Sequence, residues 1–343
     1  MKAFKKILFI PAALICCCLL LEGLAYIFET SNSPLSSNVP TPDAHSIRTL
    51  EGSSSLPKAN NSITIPPQKD VGWGFEPGSI IEQGNIRSPI NSLGLRGEEI
   101  PPKKKEELRI LFVGDSSVYG FGVHTEDTFI SLIEKKLESI LKKEVVTVNG
   151  GIPGHSSDQS LALLKAVGGD IQPDYVIIAN IWSDMYVGVH PKREESPLAL
   201  VRVGRRLLSP WLREQKISWI YTGVDISKEP ENGARVALRT YQKNLMNVHA
   251  QVIKMNAEPV FILLPAPIDL SKEEIPNWVD EYRLVMEYVS SQTNAHLIHV
   301  PKRWKSTDPQ TEDFFDNVHP SKSGHQKIAT IIADYFSSSI LNR

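Results

Sequence analysis

Five short apolar runs separated by segments of helical periodicity constrain this chain more than any other feature. The first, Arg109-Ile110-Leu111-Phe112-Val113, lies between the charged stretch 103–107 and Gly114. Its last four residues are all apolar, so both faces of an extended strand would be buried, as in a parallel sheet covered by helices. Residues 129–141 then place Ile130, Ile133, Leu137, Ile140 and Leu141 at helical spacing before a second run at 145–148. The alternation continues with a helix near 158–166, a strand at 175–180, a helix near 239–254, a strand at 259–264, a helix near 272–290 and a short strand at 296–300. A last helix carries Ile328, Ile331, Ile332, Tyr335 and Phe336 on one face, with Ser321 or Ser323 placed to cap it. This pattern predicts an α/β fold: a three-layer α/β/α sandwich around a five-stranded parallel sheet.

The chain is longer than that domain requires. Residues 7–28 are apolar apart from Glu22 and follow Lys2, Lys5 and Lys6. About 20 apolar residues cross a hydrocarbon core, and a positive flank keeps the N-terminus inside. Residues 1–29 are therefore expected to be a single-pass membrane anchor that holds the rest outside the cytoplasm. The alternative is a signal segment cleaved near Gly23 and Ala25, which would release a secreted protein. All three cysteines, Cys16, Cys17 and Cys18, fall in this run, so the remainder forms neither a disulfide nor a thiolate metal site. Ile15 before Cys16 argues against a lipid-modified cysteine. Residues 30–70, rich in Ser, Pro and Asn and without period, read as a linker. Residues 71–343 read as the folded domain, with Trp73, Phe75, Ile80, Ile81 and the stretch Asn91-Ser92-Leu93-Gly94-Leu95-Arg96-Gly97 packed at its edge. The formal net charge of -2 provides no positive field for nucleic acid.

An insertion at about 186–231 interrupts the alternation. It interleaves Arg202, Arg205, Arg206 and Arg213 with Leu198, Leu200, Val201, Val203, Leu207, Leu208, Trp211 and Leu212. Such a segment could be a lid or a membrane-facing helix, or simply a helix packed on the domain with its basic face solvated.

Open α/β sheets bind ligands beyond the carboxyl ends of their strands. There the first run leads into Gly114-Asp115-Ser116-Ser117, the second into Gly150-Gly151-Ile152-Pro153-Gly154, and the third into Asn180-Ile181-Trp182-Ser183-Asp184. Before the last helix stands Asp316-Asn317-Val318-His319-Pro320. A serine hydroxyl needs a base, and a neutral imidazole has a suitable pKa. A carboxylate three residues earlier can hold the other ring nitrogen and stabilise the imidazolium. Ser116, His319 and Asp316 fill these roles.

The set resembles the SGNH/GDSL hydrolase family, with its Gly-Asp-Ser block, Gly block, Asn block and terminal Asp-x-x-His block, over roughly residues 71–336. The resemblance implies a flavodoxin-like fold and hydrolysis or transfer of acyl esters, without cofactor. It also implies an oxyanion hole built from the backbone N–H groups of Ser116 and Gly154 and an Asn side chain. Here the sequence departs from the family, because Ser183 falls where that Asn is expected and Asn180 lies three residues earlier. Either could donate, or the hole has two donors.

Ser117 reads as a helix cap, Asp115 as a turn acceptor, and His124 and His155 as exposed loop histidines near the rim. His325 has no second half of a zinc motif, so no metal is expected, and no phosphate-binding glycine loop points to a nucleotide. The expected partner is an acyl-ester substrate, either short acyl groups on envelope glycan or a lipid. The displaced Asn leaves a different class open, a catalytically degenerate glycan-binding or envelope-assembly protein.

Overall fold

The computed structural model describes residues 67–68, 71–185, 234–270, 275, 277–304 and 309–341. The expected membrane segment, nearly all of the linker and the insertion at about 186–231 lie outside the described residues. Among the described residues, no helix is long and apolar enough to cross a membrane.

The first four strands precede the main sheet. Pro67–Gln68 (β1) pairs antiparallel with Gly72–Trp73 (β2), and Ile80–Gln83 (β3) with Ile86–Pro89 (β4). β1 falls within the stretch expected as linker, so part of that stretch is strand. The main sheet comprises Leu108–Gly114 (β5), Val145–Gly151 (β6), Tyr175–Ile178 (β7), Glu258–Leu263 (β8) and His296–His299 (β9). Its order is β6-β5-β7-β8-β9, and every pairing is parallel.

The alternation of side chains along β5 shows why both faces are covered. Leu111 and Val113 pack into one core with residues of the helices Ser157–Ile171, Leu238–Lys254 and Asn277–Thr293. Leu108, Ile110 and Phe112 pack into a second core with residues of Phe129–Leu141, Val300–Trp304 and Lys322–Tyr335. Successive strand residues point to opposite faces, so a continuous apolar run suits a strand between two helical layers. Trp73 and Phe75 join the first core and are fully buried, so the expected edge segment contributes to the interior.

The helix expected near 158–166 continues to Ile171 through Gly168 and Gly169. A glycine pair reads as a breaker in sequence. At Gly168 the helix runs under Met255, whose Cε would stand 2.4 Å from a Cβ there.

Central strand β5 has β6 on one side and β7 on the other. The chain passes from β5 to β6 through a helix of one layer and from β6 to β7 through a helix of the other. Connections that diverge in this way open a crevice at the carboxyl ends of the strands. The loops after β5, β6 and β7 converge there.

Candidate active site

The loop after β5 turns directly into the four-residue helix Ser116–Tyr119. Its cap is Asp115, not Ser117: the Asp115 carboxylate accepts the Ser117 N–H at 3.0 Å. Ser117 instead donates its hydroxyl to Val318 O at 3.2 Å, tying the turn that carries Ser116 to the terminal block 201 residues away. The expected cap is thus corrected, while the acceptor role expected for Asp115 is what the geometry shows. Its second oxygen accepts the Ser183 N–H at 3.0 Å. Burial pushes the Asp115 carboxyl up from its ordinary value, against these hydrogen bonds and the nearby His319.

The terminal block brings Asp316 and His319 to the same place. One Asp316 oxygen accepts the backbone N–H groups of Val318 and His319 at 2.9 and 2.8 Å, closing a tight turn. The other lies 2.6 Å from His319 Nδ1. His319 Nε2 lies 2.7 Å from Ser116 Oγ. The three side chains singled out in sequence therefore form one continuous hydrogen-bonded row. Ser116 is 7% exposed and His319 is fully buried, with the Phe121 ring tilted against it at 4.9 Å.

Electrostatics follow from that row. Burial alone would raise the Asp316 pKa, but the His319 charge and the three hydrogen bonds hold it below the usual carboxylate value. Burial alone would lower His319, but the Asp316 charge and hydrogen bond outweigh it and raise the ring above 6.5. An imidazole backed in this way can take a proton from a hydroxyl and keep one tautomer.

The candidate oxyanion donors are Ser116 itself and residues of the loops that follow β6 and β7. Among the described residues, neither the Ser116 N–H nor the Gly154 N–H has a protein acceptor. Gly154 has φ +79°, a left-handed conformation that favours glycine. Gly151 permits the close approach of this loop, since a Cβ there would stand 2.3 Å from Tyr119 N. The two candidates for a third donor differ. Ser183 is tied to Asp115 through its N–H, and the serine helps hold the Asp115 pKa down against burial. The Asn180 amide is buried with both polar atoms lacking a partner among the described residues.

The histidines expected as exposed separate on inspection. His124 is half-buried, whereas His155 is fully buried, with Nε2 2.8 Å from Trp73 O. Burial lowers the His155 pKa to about 3, so it stays neutral inside the domain. His325 is also fully buried, stacked on Phe129, and its Nδ1 accepts the Phe129 N–H at 3.0 Å. A structural acceptor occupies the position where sequence raised metal ligation.

Sequence reasoning missed three residues here. Asp184 accepts the Ser157 N–H and hydroxyl at 3.0 and 2.6 Å, joining the loops after β6 and β7. Arg235 donates to Gly154 O at 2.5 Å and Ser183 O at 3.4 Å, and the next residue, Val236, donates its N–H to Asp184 O at 2.9 Å. Arg96 donates to the carbonyls of Tyr119, Gly120 and Val123 at 2.7 to 2.8 Å, holding the loop that carries Phe121. Arg96 belonged to the stretch expected to pack at the domain edge and Asp184 to the block after the third run, but neither was given a role; nothing in the sequence marked Arg235.

Comparison with known proteins meets this geometry from outside. The sequence model described as GDSL-like Lipase/Acylhydrolase family matches residues 112–327, which span β5 to the last helix and include the whole row. The chain belongs to this family. It is a hydrolase acting on ester bonds, and its sheet and flanking layers are those of the SGNH hydrolase fold. No curated protein matches the chain. Solved structures similar to this family member include the psychrotrophic esterase EstA from Pseudoalteromonas sp., at 18% identity, TM-score 0.45, covering 68% of this chain and 99% of that one. An acetyl xylan esterase matches at 17% identity and TM-score 0.46, over 68% of this chain and 100% of its own. A lipase/acylhydrolase from Enterococcus faecalis matches at 16% identity and TM-score 0.45, over 67% and 95%.

Proposed function

We propose that this esterase works through an acyl-enzyme on Ser116 and acts on short acyl groups carried by cell-envelope glycan. The observation that carries the reading is the 2.7 Å contact between Ser116 Oγ and His319 Nε2, with Asp316 behind the ring. In the first half-reaction Ser116 Oγ attacks the ester carbonyl while His319 Nε2 takes its proton. The tetrahedral oxyanion would be received by the Ser116 and Gly154 N–H groups. Collapse breaks the bond to the alcohol, which leaves with the proton from His319. In the second half-reaction a water, or a sugar hydroxyl in a transferase, attacks the acyl-enzyme and passes its proton to His319. Collapse then breaks the bond from the acyl carbon to Ser116 Oγ, which takes the proton back from His319 as a carboxylic acid or a new ester leaves.

Small acyl size is supported by how little of the nucleophile is exposed. Ser116 is almost covered, Phe121 lies on the His319 ring, and Phe315 stands where a Cβ on Gly122 would meet it at 2.8 Å. Half-buried aromatic faces also suit the apolar face of a sugar ring. A lysophospholipid-like ester is the competing substrate, and a panel of acyl chain lengths separates the two. The apolar run at residues 7–28 supports a location outside the cytoplasm, either tethered to the membrane or secreted after cleavage.

Covalent labelling by a fluorophosphonate tests the core of the reading. Wild type should label and hydrolyse p-nitrophenyl acetate, and Ser116→Ala should do neither. A wild type that stays unlabelled, yet binds envelope glycan as well as Ser116→Ala does, would instead establish a degenerate binding protein.

A further inference from the structure

We propose that Trp73 and Arg235 are positioning residues that aim the Gly154 N–H at the developing oxyanion. The inference rests on the Ser116 acyl-enzyme reading and concerns the same site. A glycine at positive φ has no side chain to hold it, so something else must fix the direction of its N–H. Two peptide planes meet at the Gly154 Cα, and each is pinned by its carbonyl. Pro153 O accepts from Trp73 Nε1 at 3.0 Å. That carbonyl belongs to the same planar amide as the Gly154 N–H, so the indole sets the orientation of the donor at its other end. Gly154 O belongs to the next plane and accepts from Arg235 Nη1 at 2.5 Å.

The two holders are themselves coupled. The Arg235 guanidinium lies 5.5 Å from the centre of the Trp73 ring, and its second nitrogen donates to Gln159 Oε1 at 2.5 Å. Gln159 in turn donates to Val71 O at 3.0 Å, and His155 packs edge-on against Trp73 with ring centres 5.3 Å apart. Trp73 precedes the family-matched region, and Arg235 stands where the described chain resumes after the insertion. Residues outside the four sequence blocks therefore fix the peptide that one block supplies. Oxyanion donors are effective because they are oriented before charge develops.

The test uses the full chain. Trp73→Phe keeps a ring but removes the N–H. Arg235→Lys keeps the charge but loses the fork that reaches Gly154 O and Gln159 together. Each should lower kcat on p-nitrophenyl acetate by roughly tenfold to a hundredfold, with KM changed by less than about twofold. The inhibition constant of a small boronic acid, whose tetrahedral adduct on serine carries the negative oxygen, should rise by the same factor. A merely structural role would lower the folded fraction without changing the boronate affinity of the folded protein. Should Trp73→Phe fail to fold, Arg235→Lys decides alone. Folded variants with unchanged kcat and boronate affinity, or with a change confined to KM, would overturn the proposal while leaving the Ser116 reading intact. A wild type that neither turns over ester nor binds boronate removes both.

Discussion

His319 and His325 are six residues apart, equally buried, and each lies against a phenylalanine ring, yet their surroundings push them in opposite directions. His319 has a carboxylate oxygen 2.6 Å from one nitrogen and a serine hydroxyl at the other, and its pKa is raised. Among the described residues, His325 accepts a single backbone N–H and has no carboxylate partner. Burial, with Arg96 and His319 nearby, lowers its pKa to about 3. Burial by itself thus makes an imidazole neutral and inert. Burial beside a fixed carboxylate makes it a base that can hold the proton it takes.

Giving His319 the neutral surroundings of His325 is the most damaging way to test that contrast. Asp316→Asn should lower kcat by about 10⁴-fold, because the amide favours the wrong tautomer. The acid limb of the pH–kcat/KM profile should lie above pH 6.5 in wild type, since His319 must be neutral to act and its pKa is raised. In Asp316→Asn that limb should move to lower pH. A limb that stays in place would mean that Asp316 does not set the His319 pKa.

The same contrast between partnered and unpartnered groups ranks the third oxyanion donor. Ser183 is tied to the Asp115 carboxylate through its N–H, whereas the Asn180 amide is without a partner among the described residues and has a donor to offer. Asn180→Ala should therefore lower turnover of p-nitrophenyl acetate by roughly a hundredfold, and Ser183→Ala by less than about tenfold. Equal and small losses would leave the hole with its two backbone donors.

The mildest effect is expected at His325. His325→Asn keeps an acceptor for the Phe129 N–H but cannot titrate, and turnover should be unchanged. Because the folded pKa of His325 is depressed, the unfolded chain binds more protons between pH 6.5 and about 3. Wild-type stability from this group is thus complete above pH 6.5 and is lost as the pH falls through that window. The loss approaches about 1.4 kcal/mol per pH unit. Urea midpoints of wild type and variant, compared from pH 7 to 4, should converge as the pH falls. Asp184, raised to about 7 by burial, titrates with the opposite sign, so the difference between the two proteins is the quantity to read.

Much of this was legible in the sequence because periodicity and short-range order encode it. The five strands follow from apolar runs, and the Asp316–His319 pair follows from a three-residue spacing that one turn can close. Ser116 was marked by its place after the first buried strand. What the sequence hid was long-range: Trp73 and Arg235 meet the Gly154 loop across 80 and 81 residues, and no local pattern announces such contacts. His155 was misjudged for a related reason. A loop histidine reads as exposed until Trp73 closes over it.

The chain leaves the described domain after Met185 and resumes at Ala234, and the Val236 N–H bonded to Asp184 O draws departure and return to one doorway. Whatever is threaded between those posts can change in length or chemistry without disturbing the strands behind them. Selection could thereby vary that segment while inheriting the strands and the Ser116–His319–Asp316 row unaltered. Arg235 stands on the returning post with a hand on the Gly154 peptide, so such a change need not be silent.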